Sequence, residues 1–414
     1  MQPQHETSAD NSYDVVIIGG AFAGASTALL LRRELPEARI LVVERKASFD
    51  RKVGEATVEV SANFLHRVLG LYDYLSREHL PKHGLRFWFS DRPDRTLGEM
   101  TEIGSTEMPR LPSFQLDRSR LDESLLASAA DGDCEIARPA RVLSVKHDWP
   151  ASEVRFTAGE DERTVSARWI IDASGRRTFI ARERGVHQTV EEHPTAAVWA
   201  RWHNARDLDS PTEALPAVHA SRRLATNHFC GYGWWCWVIP LAGGQTSIGL
   251  VYNKELFDLR GDDGLRERYE RFIAGQPGLR EMLNGATLDE SDFHAFSQLP
   301  YRTTRYMDRG WGLVGDAASF MDPYYSPGLD HAAFSVYATT RIVASDIAGQ
   351  LDDATLGSRI DEHNDQFLRS FDRWLSAIYV GKYELMGDAE LTRCAFLLDT
   401  SLYYLGIVGP VCAD

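Results

Sequence analysis

Asp14-Val15-Val16-Ile17-Ile18-Gly19-Gly20-Ala21-Phe22-Ala23-Gly24 opens the stretch that decides the fold. It continues through Ala25-Ser26-Thr27-Ala28-Leu29-Leu30-Leu31-Arg32-Arg33 to Ile40-Leu41-Val42-Val43-Glu44. The first apolar run reads as a buried strand, the glycine-rich piece as a tight turn, the Ala/Leu-rich piece as a helix, and the second apolar run as a strand ending on an acid. Unpaired amides and the dipole at a helix start favour a pyrophosphate, and a carboxylate after the next strand accepts ribose hydroxyls. Glu44 follows Gly24 by about 20 residues, the spacing this chemistry requires. Ala21 replaces the second glycine of G-x-G-x-x-G, so a methyl group lies where backbone should approach phosphate. The unit is read as binding an adenine dinucleotide.

The 414 residues are 43% hydrophobic and 25% charged, which reads as globular and long enough for two or three structural units. A formal net charge of −15 argues against nucleic acid, whose phosphates need a basic surface. Cys134, Cys230, Cys236, Cys394 and Cys412 form no C-x-x-C pair, and free thiols in the reducing cytoplasm are the simple reading. No metal-ligand pattern is read. The polar residues 1–7 lack a basic-then-apolar signal pattern. The apolar tail 396–412 is interrupted by Asp399, Gly406, Gly409 and Pro410 and is read as a docking segment, not a membrane span.

Beyond Glu44, a polar link ends in Gly54-Glu55-Ala56-Thr57, and apolar residues from Val60 to Leu75 predict an amphipathic helix broken near Gly70. A loop with Lys82 and His83 leads into a strand at 85–89. Gln115 precedes a helix at 121–130, and 135–156 reads as strand and hairpin. The strand 165–171 ends at Asp172-Ala173-Ser174-Gly175, a second junction where a nucleotide can rest. Short β-type runs at 197–203, 229–239, 246–252 and 293–299, with a helix at 264–274, predict an antiparallel sheet forming one wall of a pocket. The strand 311–314, the turn Gly315-Asp316 and an apolar helix 329–348 return to dinucleotide-type signals. The expected α/β organisation is a discontinuous nucleotide-binding domain at 10–180 and 305–345 and a substrate-binding sheet domain at 86–110 and 190–300. A C-terminal helical segment, 346–414, is expected to cover the sheet.

The first strand-turn-helix unit, Asp172-Ala173-Ser174-Gly175 and Gly315-Asp316-Ala317-Ala318 resemble the three FAD-contacting segments of the p-hydroxybenzoate-hydroxylase-like flavoproteins. Within that superfamily the chain is most similar to the flavin-dependent halogenases. Trp235-Cys236-Trp237-Val238-Ile239-Pro240 resembles their W-x-W-x-I-P, and Phe320-Met321-Asp322-Pro323-Tyr324-Tyr325-Ser326-Pro327-Gly328 their F-x-x-P-x-x-S-x-G. The resemblance covers residues 14 to about 345. It implies a Rossmann-like FAD-binding domain of the glutathione-reductase type, with FAD held by Gly19, Gly20, Ala21, Gly24, Glu44, Arg45, Gly54, Gln115, Asp172, Gly175, Gly315, Asp316, Pro323 and Gly328. It implies catalytic roles for Lys82, Tyr324, Tyr325 and Ser326, and a substrate pocket shaped by Trp235 and Trp237. The second junction also differs from the Ala-Asp-Gly of hydroxylases that bind NADPH themselves, which implies a separate flavin reductase as electron donor.

Flavoproteins of this kind place an electrophilic oxygen beside the flavin. A ring held there takes the oxygen directly; a halide held there takes it first, and hypohalous acid then travels to a lysine near a more distant ring. In the halogenase pattern the amides of the two residues after the serine hold the halide. Here these are Pro327 and Gly328, and proline has no N–H, a loss worth about 1–3 kcal/mol at that site. Tyr325 stands where tryptophan halogenases carry a glutamate. The expectation is therefore hydroxylation of an electron-rich ring, an indole or phenol, free or on a polypeptide. Halogenation of an indole, phenol or pyrrole is the alternative, and a flavin dehydrogenase or reductase the third. Lys82 is expected to hydrogen-bond the oxidant or substrate, Tyr324 or Tyr325 to orient the ring, and His83 and His331 to be structural or surface residues.

Overall fold

The computed structural model describes residues 11–210, 215, 217–259 and 261–413; the polar stretch 1–7 lies outside them. Val15, Val16 and Ile17 in the strand Ser12–Ile18 expose no surface. A strand apolar on both faces belongs inside a covered parallel sheet, and this one pairs in parallel with Ile40–Val43 on one side and Asp161–Asp172 on the other. Its alternate side chains go opposite ways. Val15 and Ile17 pack with the helices Phe22–Glu34, Arg118–Asp131 and Gly328–Ile347, whereas Val16 and Ile18 pack with the hairpin Ala140–Lys146 and Ser152–Ala158.

The chain leaves the first strand at Gly19, with φ +100°, where an added Cβ would lie 2.6 Å from the Ala173 carbonyl oxygen. Only glycine fits so close to a neighbouring strand in that conformation. Gly24 is needed for packing instead. A Cβ there would lie 1.8 Å from the Gly19 carbonyl oxygen, so the missing side chain lets the helix start dock against the turn.

The second sheet runs in the order Thr287–Leu288, Thr195–His203, Gln245–Asn253, Trp234–Pro240, Thr226–Gly231, Leu85–Phe89, Thr101–Gly104, with His294–Phe296 also paired to Thr195–His203. Two expectations are corrected here. The run 229–239 is a hairpin of two strands turning at Gly233, φ +79°. The sheet is also not wholly antiparallel, because Leu85–Phe89 lies parallel to Thr226–Gly231. These strands are far apart in sequence, so no short turn fixes their relative direction.

One face of this sheet, with Trp199, Trp235 and Trp237, packs against Phe371, Leu375, Tyr379 and Tyr383 from the C-terminal part of the chain. The other, with Val198, Cys236 and Val238, is covered by the helix Leu265–Gly275. The expected break near Gly70 is present, between a π-helical turn at Phe64–Val68 and the helix Tyr72–Glu78.

The tail departs from expectation. Ala389–Ala413 forms one helical run long and apolar enough to cross a membrane by length and composition, and only 11% of its apolar window is buried. Gly406 is absorbed in the π-helical turn Tyr404–Val408, and Pro410 in the turn Gly409–Ala413 that follows it directly. One side docks through Thr392, Asp399 and Val408, while Leu391, Leu398, Leu402 and Leu405 stay exposed.

Candidate active site

Two cavities lie on either side of the bend formed by residues 320–328. The first, about 510 Å³, is lined by Gly19, Ala21, Glu44, Arg45, Gly54 and Gly175 from the nucleotide-binding side. Gly315, Asp316, Pro323, Ser326 and Gly328 close its far end, and Trp199, Trp235 and Trp237 face it from the second sheet.

These residues fit a bound FAD. The Glu44 carboxylate accepts the Gly20 amide at 2.7 Å and the Lys46 amide at 2.8 Å. About two of its four lone-pair sites remain for ribose hydroxyls. Arg45, Lys52, Arg118, Arg176 and Arg177 also line the cavity. Burial, then repulsion from Arg141 and Arg45, holds the Arg177 guanidinium below its usual value. Cations crowded in this way call for an anion such as a pyrophosphate. Burial pushes the Asp316 carboxyl above the usual range against the pull of Arg176, Arg118 and Lys52.

The bend itself is strained. Tyr325 and Ser326 have φ of 71° and 62°, and adjacent non-glycine residues in the left-handed region cost about 1–2 kcal/mol each. Asp322 fixes this shape: Oδ1 accepts the Tyr324 amide at 2.9 Å, and Oδ2 accepts the Tyr383 hydroxyl at 2.9 Å and meets His193 Nε2 at 2.8 Å. Trp235 Nε1 donates to the Tyr383 hydroxyl at 2.9 Å, so a wall of the first cavity and the bend share one buried network.

The second cavity, about 840 Å³, is walled largely by rings and aliphatic groups, among them Tyr325, Phe334, Phe371, Trp374, Phe396 and Tyr403. Lys82, Glu59, Asp330, Asp399 and Arg393 are its charged lining. Lys82 is 2% exposed, and Nζ donates to the Thr57 carbonyl at 2.7 Å. Burial lowers its pKa to about 8 despite Glu59 and Asp330. Its charge also reaches His228, which lines the first cavity and is lowered to about 3, mainly by burial. Asp330 accepts the Ser61 amide and the Tyr403 hydroxyl, each at 2.8 Å, and burial raises its pKa to about 6.

The expected site residues therefore fall into three groups. Gly19, Ala21, Glu44, Arg45, Gly54, Gly175, Gly315, Asp316, Pro323, Ser326, Gly328, Trp235 and Trp237 meet in the first cavity, and Lys82 and Tyr325 in the second. The tryptophans expected to shape the substrate pocket face the cofactor side instead, because they share the bend-facing side of the second sheet.

The rest stand behind the lining. Gly20 turns its amide to Glu44, and Gly24 is a packing position. Asp172 accepts the Ser174 and Ile180 amides and so shapes the second junction. Gln115 is fully buried between strands, and its side-chain amide has no hydrogen-bond partner among the described residues. Tyr324 is wedged between Tyr325, Trp235 and Phe87. His331, read as structural or surface, lines the second cavity, held by Ser319 Oγ at 2.9 Å.

Sequence reading missed Asp330, Asp322 and Asp399. An Asp before a proline is a turn signal, and an acid in the first turn of an apolar helix is a polar intrusion worth marking. Asp399 gives no local signal; it accepts from Tyr325 at 3.0 Å and from Lys382 at 2.5 Å.

Comparisons with known proteins identify the family. Residues 12–364 match the model of the family described as FAD binding domain. The chain is 26% identical to the flavin-dependent halogenase chlA of Dictyostelium discoideum, over 96% of this chain and 70% of that protein. It is also 26% identical to a tryptophan 2-halogenase of Chondromyces crocatus, over 92% of this chain and 69% of that protein. The solved structure of halogenase PltM in complex with phloroglucinol and FAD superposes with a TM-score of 0.77 at 20% identity, covering 97% of this chain and 85% of PltM. This chain belongs to the FAD binding domain family, as a halogenase-like, FAD-dependent oxidoreductase.

Proposed function

We propose that the chain is a flavin-dependent halogenase acting on an electron-rich aromatic ring held in the second cavity, with electrons from a separate flavin reductase. The observation that carries this reading is the partition. The bend 320–328 stands between the cavity that fits FAD and the cavity holding Lys82. Direct hydroxylation requires the ring to lie against the flavin, whereas halogenation tolerates a wall between them. Relatives named as halogenases support the same choice.

This reverses the order of preference drawn from Pro327. That proline lacks an amide, yet Gly328 begins the helix Gly328–Ile347, and its N–H is among those a helix start leaves unpaired. One amide and a favourable dipole remain for a halide.

Bound FAD, once reduced, supplies the activated oxygen that oxidises halide. The chain's own residues then govern its use. Lys82, protonated below about 8, donates a hydrogen bond to the oxygen of hypohalous acid and polarises the halogen toward the ring. The apolar walls of the second cavity hold a flat ring and keep the oxidant from escaping to bulk water. The lining admits an indole, a phenol or a pyrrole, free or tethered to a larger carrier.

The test is an incubation of the FAD-loaded chain with a flavin reductase, NADH and aromatic acceptors, with and without bromide, read by product mass. Bromide-dependent bromination is the expected result. Oxygen incorporation indifferent to bromide would return the assignment to hydroxylation.

A further inference from the structure

The second cavity is mostly apolar, and three acids, Glu59, Asp330 and Asp399, line it together with the cations Lys82 and Arg393. Asp330 is 7% exposed and sits in the first turn of the helix Gly328–Ile347. Glu59 lines the same cavity, as does Lys82. Each Asp330 oxygen already accepts one hydrogen bond, from Ser61 and from Tyr403, and Glu59 accepts from Tyr404. A carboxylate offers about four lone-pair sites, so both acids keep acceptor capacity. Lys82 Nζ makes one hydrogen bond among the described residues, to Thr57.

A ring filling this space displaces the water that solvates these acceptors. If the ring brings a donor, the lost hydrogen bonds are replaced; if not, buried acceptors are left unpaired, which a site penalises far more than a missing methyl group. A ring whose carboxylate is turned toward Asp330 and Glu59 meets like charge from both, with Lys82 and Arg393 the cations of the same lining.

Taking the second cavity as the ring site, we propose that Asp330 is its specificity-determining residue. It accepts a hydrogen bond from the ring's own O–H or N–H, so the enzyme takes hydroxyarenes and azoles with a free donor. It turns away their O- or N-alkylated forms and aryl carboxylates.

Asp330 also anchors Tyr403 in the C-terminal helix, so the test must separate reading the ring from holding the helix. The FAD-loaded full chain is titrated with naphthol and its methyl ether, with indole and N-methylindole, and with naphthoate. Binding is read by calorimetry, with no turnover. The wild type is expected to bind each free-donor ring about ten-fold or more tighter than its methylated partner, and naphthoate weakest.

Asp330→Ala is expected to bring the ratio toward one, and Asp330→Asn, which keeps an acceptor oxygen, to retain part of it. Thr392→Val, which removes the helix's hydrogen bond to the Leu385 carbonyl and leaves the cavity lining and the Asp330 carboxylate in place, is expected to keep the wild-type ratio. A wild-type ratio near one, no binding of any probe, or equal loss in Thr392→Val and Asp330→Ala would overturn the proposal. Selective binding without halogenated product would instead count against the halogenase reading alone.

Discussion

Lys82 is an ammonium in a mostly apolar cavity, and that placement sets its titration. Burial lowers its pKa to about 8, and only the protonated form donates to an oxidant. The rate of ring modification should therefore fall as pH rises through about 8. Lys82→Met should lose activity by about 100-fold or more, should lack that limb, and should still bind FAD; a pH–rate series with flavin absorbance checks all three. The stability sign follows from the same shift. The folded chain binds fewer protons at this site than the unfolded chain, so the wild type should gain stability relative to Lys82→Met between pH 8 and 10.5. Pro327 allows a second test at this scale. Pro327→Ala restores an N–H beside Gly328, and if the amides at 327 and 328 hold the halide, the bromide KM should drop by about five-fold or more, as a hydrogen bond to a charged group would give. An unchanged bromide KM would locate the halide elsewhere.

At the scale of elements, the helix Ala389–Tyr403 is held to the second cavity by a few polar contacts. Asp399 accepts from Lys382 and Tyr325, Tyr403 donates to Asp330, and much of the helix's leucine surface faces outward. Removing the cation strands a buried carboxylate, which costs about 3–5 kcal/mol. Lys382→Met should therefore speed amide hydrogen exchange across 389–408 while leaving the strand Ser12–Ile18 protected; uniform loss of protection would mean that the helix is part of the global core. Why sequence revealed one of these elements and not the other is a matter of range. The strand-turn-helix at 14–44 was legible because its alternation, its glycines and Glu44 are local signals, and Gly19 and Gly24 are demanded by contacts within that unit and its neighbouring strand. The bend was legible through its likeness to the halogenase F-x-x-P-x-x-S-x-G pattern, since Pro and Gly alone mark any loop before a helix. Asp399 and Asp330 acquire meaning only when helices distant in sequence meet, and the parallel pairing of Leu85–Phe89 with Thr226–Gly231 likewise has no nearby turn to announce it.

For the whole molecule, the first cavity takes lining from both sheets, with Gly19 and Gly175 on one side and Trp199 and Trp237 on the other, so a cofactor seated there bridges them. The protein supplies one bridge of its own. Arg201, on the second sheet, donates to Glu55 at 2.7 Å, in the link after the first unit, and to Asp117 at 3.2 Å, which caps the helix Arg118–Asp131. A ligand that binds only the folded state adds RT ln(1 + [L]/Kd), about 2.7 kcal/mol at one hundred times Kd. FAD removal should therefore lower the melting temperature by several degrees. Arg201→Met leaves Glu55 buried without its cation, so it should lower the melting temperature of the FAD-free chain and also shrink the gain that FAD confers, because the link carrying Gly54 loses its anchor. Thermal scans of both chains, with and without FAD, distinguish this from simple destabilisation, in which the FAD increment at saturating cofactor would stay the same. Equal increments would mean that Arg201 holds the sheets together without shaping the cofactor's seat.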